Sequence, residues 1–129
     1  MSKPTNSQLD VFIIHPIKNA TDEELALVYA YTAQLEKQGK KVHLPHRDTV
    51  QTDPHGMSIL TTNCEAVYNA KQIHILWLPT KSSGSLFDFG MTFMALKFMP
   101  EKKIVLINPK DVKPTNHKSF ENVLLKLTE

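Results

Sequence analysis

Cysteine is nearly missing from this chain: Cys64 stands alone among 129 residues. No disulfide can close within it, which excludes a disulfide-built scaffold and makes a reducing compartment the expectation. With no Cys/His motif around it, Cys64 reads as a small core residue within a helix. An excess of one charge is missing too. Fifteen Lys and Arg against thirteen Asp and Glu leave a formal net charge of +2, and the basic residues are scattered. Neither nucleic acid nor a membrane surface is indicated as a partner. No apolar run approaches the ~20 residues that cross a bilayer, and the polar first ten residues hold no apolar signal region. A cytoplasmic protein is expected. The glycines are only four, and neither a GxGxxG nor a P-loop spacing occurs among them. A Gly-x-Ser-x-Gly elbow and a plausible cysteine nucleophile are also missing, which argues against acyl transfer.

What is present is an ordinary globular balance, 41% hydrophobic and 22% charged. That fits one domain over residues 1–129 with an adequate core, residues 1–8 being a loose lead-in. Val11-Phe12-Ile13-Ile14 is a short, wholly apolar run of the kind a strand covered on both faces requires. Thr21-Asp22-Glu23-Glu24 is a capping-box pattern. It opens a helix with Leu25, Val28, Tyr29, Thr32 and Leu35 on one face and a stop at Gly39. A second strand, Lys41 to Pro45, leads into a long polar loop from His46 to Gly56. Ile59 to Ala70 is a helix with Ile59, Asn63, Ala66, Val67 and Ala70 at helical spacing. A third strand over Ile73 to Leu78 is followed by a helix beginning near Ser85, apolar on nearly every face to Met99 and therefore expected to be largely buried. A fourth strand spans Lys102 to Ile107. A last helix starts at Ser119 and buries Phe120, Val123, Leu124 and Leu127.

Alternation of strand and helix implies an α/β fold with an open parallel sheet, a Rossmann- or flavodoxin-like three-layer sandwich. Right-handed crossovers favour the strand order 2-1-3-4. Ligands of such sheets bind beyond the carboxyl ends of the strands, where the winding reverses, here between strands one and three. The loops at that point are His15 to Asn19 and Pro79 to Gly84. The loop from His46 borders one side and Asn108 the other.

Within the second of those loops, Ser82-Ser83-Gly84-Ser85 joins hydroxyls, a glycine and a helix start. Its free N–H groups and the helix dipole suit a phosphate, although the same residues would serve a simple capped turn. Asp88 lies in the first turn of that helix among Leu86, Phe87, Phe89 and Met91. Aspartate is common at helix starts, where the dipole favours it, but these neighbours offer its carboxylate no partner. His15 ends the first strand and could serve as a donor or proton carrier, or only satisfy a turn. Trp77 and Phe12 read as core. His46-Arg47-Asp48 shares three letters with a kinase catalytic loop, in a chain far too short for a kinase. His43, His46, His55 and Asp53 lack metal-ligand spacing, so neither a metal nor a cofactor is expected.

The run from Pro79 through Ser85-Leu86-Phe87-Asp88-Phe89-Gly90-Met91, followed by Lys102-Lys103-Ile104-Val105-Leu106-Ile107-Asn108, resembles the nucleoside 2-deoxyribosyltransferase family. In that family a similar turn leads into a Glu-Leu-Gly helix start, and the glutamate attacks the anomeric carbon of a nucleoside. The resemblance places Asp88 in that catalytic position. The Ser82-to-Gly84 spacing is similar to the branch that hydrolyses deoxynucleoside 5′-monophosphates, where the serine holds the phosphate. It implies an N-glycosidase or deoxyribosyltransferase acting on a nucleotide or nucleoside, with a homodimer or larger homo-oligomer as the assembly. Ser82, Ser83 and Gly84 would hold the 5′ end, His15 and Asn19 would contact base or sugar, Arg47 and Asp48 would close the site, and Asn108 would border it. The chain departs from the family in having Asp for Glu, shorter by roughly 1.5 Å, and Ala70-Lys71-Gln72 where an acidic residue is usual. Two other readings stand beside it. One is a nucleotide-binding module of the same fold without catalysis. The other is a Toll/interleukin-receptor-like domain that cleaves nicotinamide dinucleotide, to whose first strand Asp10-Val11-Phe12-Ile13-Ile14-His15 is similar.

Overall fold

The computed structural model describes residues 8–78 and 82–129. The expected turn residues Pro79, Thr80 and Lys81, and all but the last residue of the expected lead-in, lie outside that range. Four strands form one parallel sheet: β1 (Val11–Ile14), β2 (Val42–His43), β3 (Gln72–Ile75) and β4 (Lys103–Leu106), in the order β2-β1-β3-β4. Val11 pairs with both Val42 and Gln72, and Gln72 pairs with Lys103. The fold is therefore the expected α/β sheet of order 2-1-3-4, with its winding reversing between β1 and β3.

Strand alternation divides the core in two. Phe12 and Ile14 face one layer with Ile73, Ile75 and Ile104, while Val11 and Ile13 face the other with Val42 and Leu44. The second layer is helix α1 (Asp22–Lys37), which buries Val28, Thr32 and Leu35. Its capping box is formed: Thr21 Oγ1 accepts from the Glu24 N–H, and Glu24 Oε1 accepts from the Thr21 N–H. Gly39 follows the helix with φ 87°, a left-handed value natural to glycine. Tyr29, expected inward, is exposed, and Tyr31 turns in instead to bond His74 Nδ1 at 2.6 Å.

The expected long loop after β2 holds a helical turn, α2 (Pro45–Asp48), with Pro45 at its first position. The first layer is built from α3 (Met57–Asn69), α4 (Ser83–Phe98) and α5 (Phe120–Leu127), which contribute Ala66, Val67, Phe89 and Leu124 to one cluster. Trp77 and Phe12 belong to this core as expected. Two further expectations of burial fail. Helix α4 buries only Ser85, Asp88, Phe89 and Thr92, leaving Phe87, Phe93, Met94 and Phe98 exposed. On α5, Leu124 is fully buried but Phe120 and Val123 are exposed. Apolar composition around a helix does not create a second layer to cover it. Cys64, midway along α3, is only half-buried rather than in the core.

Ahead of α3, Asp53 accepts from the backbone N–H groups of His55 and Ser58 and so serves the start of that helix. Among the described residues no helix is long and apolar enough to cross a membrane.

Candidate functional site

The reversal between β1 and β3 opens a cavity of about 280 Å3. Its lining comes from four places: His15, Ile17, Lys18 and Asn19 after β1; Pro45 and Gln51 around α2; Ile59, Leu60 and Asn63 on α3; and Ser82, Ser83, Gly84 and Asp88 at the start of α4. Of the residues expected at a site, it brings together His15, Asn19, Ser82, Ser83, Gly84 and Asp88.

Ser82 is the cap of α4, its Oγ accepting from the Ser85 N–H at 3.1 Å. That bond uses one of the hydroxyl's lone pairs and does not use its proton. The first N–H groups of α4, at Ser83 and Gly84, have no partner within the helix by position, and both residues line the cavity.

Asp88 lies one turn further on and is 8% exposed. Its inward direction follows from helical spacing: Ser85, Asp88, Phe89 and Thr92 form one stripe, and Phe89 anchors that stripe edge-on against Trp77 at 5.6 Å. Thr92 satisfies the backbone carbonyl of Asp88 at 2.8 Å, but the carboxyl group makes no hydrogen bond or ion pair among the described residues. Burial alone pushes its pKa up to about 7. A carboxyl that exchanges its proton near neutrality, inside a cavity, can act as a nucleophile or as an acid.

His15 is 5% exposed. Its Nδ1–H donates to the Pro16 carbonyl at 2.9 Å, and Nε2 accepts from the His46 N–H at 3.4 Å. Burial is the main cause that lowers its pKa to about 4. The ring is therefore neutral near pH 7, with both nitrogens engaged, and it ties the end of β1 to α2.

Three expected contacts are placed elsewhere. Arg47 grips both Glu36 oxygens at 3.0 Å, bonds Asp48, and donates to the Val42 carbonyl. Asp48 in turn accepts from the Leu44 N–H at 2.9 Å. The helical turn α2 directs both side chains back toward α1 and β2, so neither lines the cavity. Asn108 forms a two-way clamp on Trp77, accepting from its N–H at 2.8 Å and donating to its carbonyl at 2.9 Å. It extends the pairing of β3 with β4 past the strand ends.

Asn63 lines the cavity without having been expected there, since its spacing reads as a core position of a helix. A polar residue on an otherwise apolar inward stripe was the available signal. A larger depression of about 780 Å3 runs along α3 and α4, lined by Val67, Phe87, Met91, Met94, Ala95 and Phe98 among others. It carries no titratable group beyond Cys64 and Tyr68 and offers no chemistry comparable to Asp88.

No protein-family model matches the chain, and no curated protein matches it. Among solved structures it is similar to the TIR domain of the Toll-related receptor TRR-2 from the lower metazoan Hydra magnipapillata. The identity is 18%, over 88% of this chain and 78% of that chain, with a TM-score of 0.48. A likeness of that degree assigns no family, and the flavodoxin-type architecture rests on the strand order itself.

Proposed function

We propose that the chain binds a nucleotide or nucleoside at the switch point and acts on its N-glycosidic bond, by hydrolysis or by transfer of the sugar. One observation carries this reading: Asp88, a buried carboxyl without a partner among the described residues, shares a cavity with a serine-capped helix start. The N–H groups of Ser83 and Gly84 and the Ser82 hydroxyl favour an anionic 5′ group. The same cradle sets the sugar's C1′ toward Asp88. As C1′ gains positive character, an Asp88 oxygen bonds to it and the C1′–N bond breaks, its electrons leaving with the base. Water, or a second base, then attacks C1′ and releases the carboxylate. His15, neutral and engaged at both nitrogens, holds the wall and relays no proton to or from the substrate. Because the nucleophile must be ionised, turnover rises with pH through about 7 and levels off above it.

A cavity of about 280 Å3 lies just below the roughly 300–1,000 Å3 usual for ligand pockets, which suits a mononucleotide better than a whole dinucleotide. The second reading, a module that binds without cleaving, is favoured by the engagement of His15 at both nitrogens, which leaves Asp88 to serve as nucleophile with no histidine beside it to protonate the leaving base. Incubation with nucleosides, nucleoside 5′-monophosphates and nicotinamide dinucleotide, followed by chromatography for free base, separates these readings. Release from a monophosphate or nucleoside is the expected result. Binding without release would favour the module, and release from the dinucleotide alone would transfer the reading to a Toll/interleukin-receptor-like activity.

The homodimer implied by the family resemblance is also proposed here. Its natural surface is the exposed face of Phe87, Met94 and Phe98, three uncharged residues that adjoin the apolar depression on α3. Contiguous apolar surface of this kind marks interfaces more often than isolated exposed residues do.

A further inference from the structure

The wall that α3 contributes to the cavity contains one polar group with an uncommitted half. Asn63 is 5% exposed and lines the cavity. Its Oδ1 accepts from the Thr49 hydroxyl at 2.7 Å. That hydroxyl has a single proton and gives it to Asn63. The 2.7 Å contact between Thr49 Oγ1 and His43 Nε2 is therefore one in which the ring donates. His43 is held by stacking on Phe12, with ring centroids 5.5 Å apart and planes at 22°. Burial is the main cause that lowers its pKa, so the ring carries one proton, on Nε2. The opposite polarity would put the N–H on Nδ1, where no acceptor is found among the described residues, and would need the Asn63 amide turned over so that Nδ2 meets Thr49.

The three side chains thus form a chain with one direction, from ring to hydroxyl to amide. Thr49, at 3% exposed, is buried in the middle of it. The amide oxygen is occupied at the far end, and the Nδ2 hydrogens have no acceptor among the described residues. Because Asn63 lines the cavity, that donor is available to an acceptor that a ligand brings.

We infer that Asn63 is a specificity-determining residue of this cavity: its amide donates to a hydrogen-bond acceptor on the bound nucleotide, and Thr49 and His43 are positioning residues that fix which way the amide faces. The identity of the ligand rests on the function proposed above; the direction of the amide does not. The site selects ligands that present a ring nitrogen, a carbonyl or a sugar oxygen to α3. It rejects those with a C–H or N–H there, because they leave a buried donor facing carbon or a second donor. The sequence carries the same logic. His43 closes the second strand, Thr49 follows the turn of α2, and Asn63 lies two turns into α3, so the order of elements brings three distant polar residues to one wall.

Two measurements test this. Nitrogen-15 shifts of the His43 ring in the full chain report the tautomer without any ligand. Protonation at Nε2 is expected, whereas protonation at Nδ1 with a bare Nε2 would reverse the chain, turn the amide oxygen to the cavity and overturn the inference. Calorimetric titration with deoxyadenosine and deoxycytidine 5′-monophosphates reports recognition. Asn63→Leu is expected to weaken the tighter of the two by at least about tenfold, the scale of one buried hydrogen bond. Thr49→Val, which leaves the cavity wall untouched, is expected to lower affinity several-fold and Thr49→Ser to restore it. A purely structural role would lower the melting temperature of these variants and leave the affinity of the folded protein unchanged, and that result would defeat the inference alone. If the unmutated protein binds neither monophosphate, the nucleotide reading fails and takes the recognition role of Asn63 with it.

Discussion

Helices α1 and α4 are both 16 residues long, yet they are built on opposite plans. Helix α1 turns Val28 and Leu35 to the sheet and presents Asp22, Glu23 and Glu24 at its solvated start. Helix α4 turns Ser85, Asp88 and Thr92 inward beside a single aromatic, Phe89, while Phe87, Met94 and Phe98 face outward. The first arrangement is what apolar burial and helix capping favour. The second sacrifices apolar burial on the inner face, where a buried carboxyl group with no described partner raises the free energy of the folded state. Helix α4 thus gives its inner face to polar groups beside the cavity and leaves its apolar residues on the outside.

The two plans part most sharply at Asp88. Asp88→Asn is expected to abolish turnover, a loss of at least about three powers of ten, while leaving nucleotide binding intact, as measured by base release against calorimetry. Asp88→Glu keeps the charge and lengthens the arm. Activity that disappears in Asp88→Glu would show a site built for the shorter side chain, and activity that appears only there would show a binding module descended from an enzyme.

The same substitution should act on stability in the opposite sense. The folded-state pKa of Asp88, about 7, lies above its ordinary value of 3.8. The folded protein therefore holds a proton that the unfolded chain has released between those values, and stability is lost as pH rises from about 4 through 7. Asp88→Asn is expected to stabilise the chain by on the order of 3 kcal/mol at about pH 8 and by nothing at about pH 3.5, in denaturant titrations at both. His15 and His74 pull the other way. Each is lowered from 6.5 to about 4, chiefly by burial, so their contribution is lost as pH falls through that interval. In Asp88→Asn the fall on acidification should be steeper than in the unmutated protein.

On the outer face, Phe98→Glu places a charge where Phe98 is 72% exposed. If two copies pair there, their association should weaken by on the order of 2 kcal/mol or more, read by light scattering across a dilution series. A monomer before and after the substitution would remove the homodimer. Ser82→Ala removes a cap and a donor together. It should narrow any preference for monophosphates over nucleosides by roughly 1.5–3 kcal/mol per lost charged hydrogen bond, and equal binding of both by the unmutated protein would end the phosphate assignment.

The smallest effect belongs to α1. Thr32 Oγ1 is buried with no hydrogen-bond partner among the described residues. Thr32→Val keeps the shape and removes the stranded hydroxyl, and should raise stability by about 1 kcal/mol with no effect on ligand binding. Ser85 Oγ is stranded in the same way on α4, so Ser85→Ala should also be stabilising. If only the change on α4 alters ligand affinity as well, the division of labour between the two helices is confirmed; equal silence from both would count against it.

Much of this was legible in the residues. The wholly apolar Val11–Ile14, the capping box at Thr21 and the serines at 82 and 119 marked elements that form where expected, because each depends on local chemistry. Cavity residues at strand ends were legible for a different reason: the strand order places them whatever the loops do. The failures were all non-local. In sequence Arg47 and Asp48 belong to a polar loop, but one turn of helix after Pro45 brings the guanidinium onto Glu36. Nothing near Asn108 in the sequence shows that it clamps Trp77, so its strand-end position alone suggests a site border. The outer face of α4 was assigned to the core because periodicity does not say how many layers a fold has.

The register of the central pair has a kinetic meaning. Val11 and Gln72 are paired neighbours from opposite halves of the chain, whereas β1 with β2, and β3 with β4, each join segments about half as far apart. Shorter closures cost less entropy, so each half can assemble its own pair before the halves meet. The cavity opens at the junction of the two and does not exist until they have met. Any molecule that fills it then acts as a latch between halves, slowing their separation and raising the apparent stability with its concentration.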